Sequence, residues 1–74
     1  MKNYGKVMNY NGVFGSIKGI DGIDYTLLDK NLLDKDLNIF DNVEFEIENI
    51  KTPEVDVNMA YFVKVLKKEN KRKL

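Results

Sequence analysis

Gly5-Lys-Val-Met-Asn-Tyr-Asn-Gly-Val-Phe-Gly-Ser-Ile17 is the stretch on which the reading of this 74-residue chain turns. Lys6–Tyr10 and Val13–Lys18 read as two strands around a tight turn at Asn11-Gly12, the dipeptide that best accepts the positive φ angles of a short hairpin. The segment holds two aromatic residues, Tyr10 and Phe14, and its charged residue is Lys6. A hairpin needed for the fold alone has no use for so many uncharged groups on its outer side. That side is therefore the first place to look for a site.

Period-2 alternation continues downstream. Val43-Glu-Phe-Glu-Ile-Glu48 puts Val43, Phe45 and Ile47 on one side and Glu44, Glu46 and Glu48 on the other, the pattern of a half-buried antiparallel strand. Met59–Leu66 reads as another strand, with Tyr61, Val63 and Val65 on one face. Pro53 cannot join a central ladder, so Lys51–Asn58 is read as a loop. Gly19-Ile-Asp-Gly22 is a second turn, and Ile23–Leu28 the third strand. In Asp29–Asp41, Leu32, Leu33 and Leu37 sit at helical spacing without a long apolar face, which predicts a short helical turn that plugs a barrel end. Five short strands with no room for a second sheet predict a small barrel, whose closure hides edges that otherwise invite aggregation. Its expected core is Val7, Ile17, Tyr25, Leu27, Leu32, Leu37, Val43, Phe45, Ile47, Tyr61, Val63 and Val65.

Composition narrows the chemistry. A chain of this length makes one domain and buries only roughly 60% of its unfolded surface. It has no Cys and no His, so disulfides and the commonest transition-metal ligands are missing, and the nucleophile–base pairs of most hydrolases go with them. The expectation is a protein that is not an enzyme and needs no cofactor or metal. There is no long apolar run of membrane-spanning length and no apolar leader, so a soluble cytoplasmic protein with no membrane partner is expected. Twelve cations balance twelve acids, unevenly. Residues 67–74 carry five cations against Glu69, a net +4, and residues 1–66 carry seven cations against eleven acids, a net −4. The expected organisation is a domain over 1–66 and a frayed basic tail over 67–74, read either as a solvated terminus or as a phosphate-binding arm.

The order and spacing of these segments resemble the cold-shock domain family, whose fold is a five-stranded antiparallel OB barrel that binds single-stranded RNA and DNA. The family opens with Gly-x-Val-x-Trp-Phe-Asn, and Gly5-Lys-Val-Met-Asn-Tyr-Asn11 is similar to it, with Tyr10 in the Phe place. The family's first nucleic-acid motif, roughly Lys-Gly-Phe-Gly-Phe-Ile, is matched by Gly12-Val-Phe-Gly-Ser-Ile17 after a turn about two residues shorter. Its second, roughly Asp-Val-Phe-Val-His-Phe, falls on Asp24-Tyr-Thr-Leu-Leu-Asp29, and the Val43–Glu48 alternation matches most directly. The resemblance covers the chain to about Leu66. It implies an all-β OB fold and a binding face built from the first three strands.

The departures fall on that face. Asn9 replaces Trp, Ser16 and Thr26 replace Phe, Leu28 replaces His and Asp29 replaces Phe, while Phe14 is kept. Each stacked base is worth roughly 1–3 kcal/mol, so so many lost rings imply a weak or selective binder unless other contacts replace them. The candidate nucleic-acid contacts are Phe14 for stacking, Lys6 and Lys18 for phosphates, Asn9, Ser16 and Thr26 for base edges, and Tyr10 and Leu28 beside them. Phe14 reads equally as a ring packed on the barrel, Tyr10 reads first as a core ring, and the polar residues also read as an ordinary wetted face. The alternative function is a protein-interaction module or homodimer in which Leu28, Phe14, Met8 and Phe62 form an apolar patch. No small-molecule substrate is expected. The Glu44/Glu46/Glu48 stripe reads as the wet side of a strand, and Asp29–Asp41 lacks the glycine and fifth-position ligand of a calcium loop.

Overall fold

A computed structural model describes residues 2–34 and 36–66 of the chain. The strands are β1 (Lys2–Tyr10), β2 (Phe14–Gly19), β3 (Asp24–Leu28), β4 (Asn42–Lys51) and β5 (Asp56–Val65). They close into a barrel in the order β1-β2-β3-β5-β4, with β4 pairing back to β1. The fold is all-β, a five-stranded OB-type barrel, with one 3-10 turn over Asp29–Asn31 between β3 and β4. One correction concerns strand direction. The barrel is mixed rather than wholly antiparallel, because β3 and β5 run parallel through Thr26↔Met59 and Leu27↔Ala60. Alternation reveals which side of a strand is buried but not which strand lies beside it, and in this topology two strands of like direction meet where the sheet closes.

The interior is filled as the alternation predicts. Val7, Ile17, Tyr25, Leu27, Leu32, Val43, Phe45, Val63 and Val65 are buried, and Tyr25 and Phe45 pack with ring centroids 5.0 Å apart at 60°. That tilted geometry suits the positive edge of one ring against the negative face of the other. Leu32 lies at the barrel end, bridged to Val63, while Leu33 N–H donates to Val63 O at 2.8 Å and Asp34 Oδ2 accepts from Val65 N–H at 2.8 Å. With Leu37 packed against the core, the segment after β3 covers that end as expected.

Two β-bulges reset the alternation. In β1, Val7 faces Ile17 but Asn9 faces Ser16, so Met8 is an extra residue. In β5, Lys64 faces Glu44 but Tyr61 faces Glu46, so an extra residue falls at Phe62–Val63, and Phe62 takes the left-handed φ of 52°. The extra residue reverses the inward side of a strand. Tyr61, expected inside, is therefore only half-buried, while Ala60 is fully buried. Met59 is buried too, as is Asn3 on the part of β1 upstream of Lys6 that the alternation did not extend to. Leu37 and Ile47 are partly buried at the core's margin.

The β4–β5 connection is tighter than the Lys51–Asn58 loop expected. Both strands run on until a four-residue turn, in which Thr52 N–H donates to Val55 O at 2.6 Å. Pro53 occupies the second place of that turn, where its fixed φ is an asset and its missing N–H costs nothing. The basic tail over 67–74 lies outside the described residues.

Candidate nucleic-acid interface

Strands β1, β2 and β3 present one continuous outer face. Gly15, Ile17 and Gly19 of β2 and Tyr25 and Leu27 of β3 point inward, so Phe14, Ser16 and Lys18, and Thr26 and Leu28, point outward. Register then sets these outward residues in rows. Lys6, Lys18 and Asp24 form one row, Asn9, Ser16 and Thr26 the next, and Phe14 and Leu28 the third. The bulge at Met8 is what places Asn9 in the middle row. A regular strand from Val7 would have turned it inward. Seven of the eight residues chosen from sequence (Lys6, Asn9, Phe14, Ser16, Lys18, Thr26 and Leu28) share this face.

The eighth, Tyr10, sits on the other side of the bulge. It is half-buried against the core and pairs with Gly15, and burial, helped by the charge of Asp29, pushes its phenol above the ordinary tyrosine range. A Cβ at Gly15 would collide with the Asn9 carbonyl, so only glycine lets the bulged strand press this close.

Phe14 is held out by its backbone. Asn11 Oδ1 accepts from Val13 N–H and Phe14 N–H, both at 2.9 Å, and Asn11 N–H donates to Phe14 O at 3.0 Å. Gly12 takes φ of 96° between them, so the Asn-Gly pair builds the turn through the amide side chain as well as through positive φ. The ring that results is 55% exposed and its cross-strand neighbour is the half-buried Leu28. In the middle row Asn9 Nδ2 donates to Ser16 Oγ at 3.0 Å, and Thr26 lies across the strand pair from Ser16. Lys18 Nζ lies 3.1 Å from Asp24 Oδ1 in an exposed pair, an arrangement typically worth less than about 1 kcal/mol.

The turn after β2 is stabilised by a separate network. Tyr25 O–H donates to Asp21 Oδ2 at 2.6 Å, and Asn3 Nδ2 donates to the same oxygen at 3.1 Å and to Tyr25 Oη at 3.3 Å. The Tyr25 hydrogen bond, with Ile23 N–H, holds the Asp21 carboxyl below the usual carboxylate range, and burial pushes the Tyr25 phenol up. The network reads as a clamp on the β2–β3 turn.

Sequence reasoning missed a groove beside the first row. Tyr4, Lys6, Met8, Lys18, Ile20, Asn42 and Leu66 surround a concave space of about 620 Å³ floored by Gly5 and Gly19. Tyr4, Lys6 and Met8 are the outward residues of β1, legible once that strand is begun at Lys2. Among the described residues, no group of three or more acidic side chains is placed to hold a metal ion, and no helix is long and apolar enough to cross a membrane. The chain matches no protein-family model and no curated relative.

Proposed function

We propose that the chain binds single-stranded nucleic acid across the outer face of β1–β3, by association without chemistry. One observation carries the reading: an exposed ring, a row of hydrogen-bonding groups and two lysines lie side by side, with Phe14, Asn9–Ser16–Thr26 and Lys6–Lys18 in successive rows of one surface. These are the elements a single strand requires, a flat face for a base, amides and hydroxyls for base edges, and cations for phosphates. Phe14 stacks a base, Asn9, Ser16 and Thr26 contact base edges, and Lys6 and Lys18 meet phosphates. The likeness to the cold-shock family supports the same face. With one ring in place of several, binding is weaker than a full aromatic platform gives.

The test is a fluorescence-anisotropy titration of labelled oligo-dT and oligo-U at low and moderate salt. Saturable binding that weakens with salt and is weakened further in Phe14→Ala supports the reading. If neither oligomer binds and the protein sediments as a dimer, the interaction-module alternative replaces it.

A further inference from the structure

The groove beside the lysine row has the shape and chemistry to receive one more base of the same strand. Lys6 pairs with Lys18 on one side and Asn42 on the other, so a polar row crosses the groove from β4 to β2. Tyr4 lies one outward step along β1 from Lys6, and Met8 follows it on the other side, while Ile20, 76% exposed, joins Tyr4 through Ile20 N–H donating to Tyr4 O at 2.9 Å. Leu66 closes the far wall, its N–H bonded to Asn42 O at 2.8 Å. The result is a mainly apolar cleft with cations at its edge, of a size within the roughly 300–1,000 Å³ range of small-ligand sites.

Lys6 and Lys18 lie directly across a strand pair, and although Lys18 is held 3.1 Å from Asp24 in an exposed ion pair, a phosphate beside Lys6 can compete with that carboxylate for Lys18. An uncharged ligand gains nothing from this row. A nucleotide gains twice, because its phosphate sits on the lysines while its base enters the apolar cleft beside Tyr4 and Ile20, with the Asn42 amide at the edge. The cleft is also continuous with the proposed interface, since Lys6 and Lys18 belong to both. From Phe14 to Ile20 the track follows six residues of β2, about 20 Å at the rise of an extended strand.

We propose that the strand bound at Phe14 runs along β2, past the Lys6–Lys18 row, and places a further base in the Tyr4–Ile20 groove. The inference rests on the nucleic-acid reading above and extends it from one stacking position to two separated ones. It makes affinity depend on oligomer length, because a strand too short to span the track occupies only the Phe14 end.

The experiment is an anisotropy titration of labelled dT oligomers of three and eight nucleotides against the full chain and three variants. Ile20→Ser and Tyr4→Ser alter exposed side chains on either side of one backbone hydrogen bond, and Phe14→Ala removes the ring at the other end. The octamer is expected to bind the unaltered chain about tenfold more tightly than the trimer, as one added base contact allows. Ile20→Ser and Tyr4→Ser should each erase most of that difference while leaving the trimer unchanged, and Phe14→Ala should weaken both oligomers. Equal octamer affinities in the unaltered chain and both groove variants, with Phe14→Ala still weakening both, would overturn the groove and leave the interface standing. If neither oligomer binds the unaltered chain, both the groove and the interface are overturned.

Discussion

The outer faces of the two halves of the barrel differ more than their shared core suggests. On β1–β3 the outward residues include Lys2, Tyr4, Lys6, Met8, Asn9, Phe14, Ser16, Lys18, Thr26 and Leu28, with Asp24 at the edge. On β4 they are Glu44, Glu46 and Glu48, facing Lys64, Tyr61 and Met59 of β5, with Phe62 63% exposed at the bulge. Each half carries an exposed phenylalanine and each carries a bulge. Glu44 is ion-paired with Lys2 at 3.2 Å and faces Lys64, whereas Lys6 and Lys18 stand in a row that ends at Asp24, and the proposed single strand lies on this second face. The inward residues determine the shape, and the two outer faces differ in their charge pattern.

The largest change that erases the comparison is Phe45→Ala, which empties the centre common to both faces. Removing a buried Phe costs about 3–5 kcal/mol, most of the stability available to a domain this small. Urea denaturation followed by circular dichroism should show the variant largely unfolded at 25 °C.

The next sharpens it. Phe14→Ala should raise the Kd for oligo-dT between about fivefold and 150-fold, the worth of one stacked base, whereas Phe62→Ala should leave it unchanged. Equal losses from both would mean that the two faces do not differ as claimed.

The bulge and the turn separate in stability. Phe62 holds φ of 52°, a left-handed conformation that costs a non-glycine residue about 1–2 kcal/mol, and bulges accept glycine there. Phe62→Gly is expected to raise the unfolding free energy by about 1 kcal/mol, read as a higher urea midpoint. Gly12→Ala, at φ of 96° in the β1–β2 turn, should lower it by a similar amount and weaken oligonucleotide binding with it, since that turn presents Phe14.

The smallest effects are electrostatic. Two lysines at about 0.7 per single-strand contact predict a slope of log K against log salt no steeper than about −1.4. For folding, the Asp21 carboxyl is held below its unfolded value by Tyr25 O–H, so its contribution is present above the unfolded pKa and is lost as pH falls through the folded one. Stability should drop on acidification below about pH 4, and Asp21→Asn should flatten that limb. The Tyr25 phenol is shifted upward, so its contribution is full below the unfolded tyrosine pKa and disappears as pH rises through the folded value.

Much of the fold was legible because strands with one buried side write their pattern at period 2. Val43–Glu48, the Asn11-Gly12 turn and the Gly19–Gly22 turn appear where their residues require. What alternation cannot carry is a change of phase or a choice of neighbour. The bulges at Met8 and Phe62 arise where strands coil sharply around a narrow barrel, and nothing local in Met8 or Phe62 announces them. The same limit hid the parallel β3–β5 pair, whereas the packing of Tyr10 against the core was one of its expected readings. The candidate face was legible residue by residue, but its three rows depend on register. The groove escaped because Lys2–Gly5 carries no apolar alternation: its inward positions hold Asn3, bonded to Asp21 and Tyr25, and Gly5.

The most direct test of the central claim is an amide-resolved NMR titration of the labelled chain with a single-stranded oligo-dT octamer. The account predicts progressive shifts at Lys6, Asn9, Phe14, Ser16, Lys18 and Thr26, with Glu44–Glu48 and Phe62 unmoved. Shifts centred on β4–β5, or an unchanged spectrum at millimolar oligonucleotide, would contradict it.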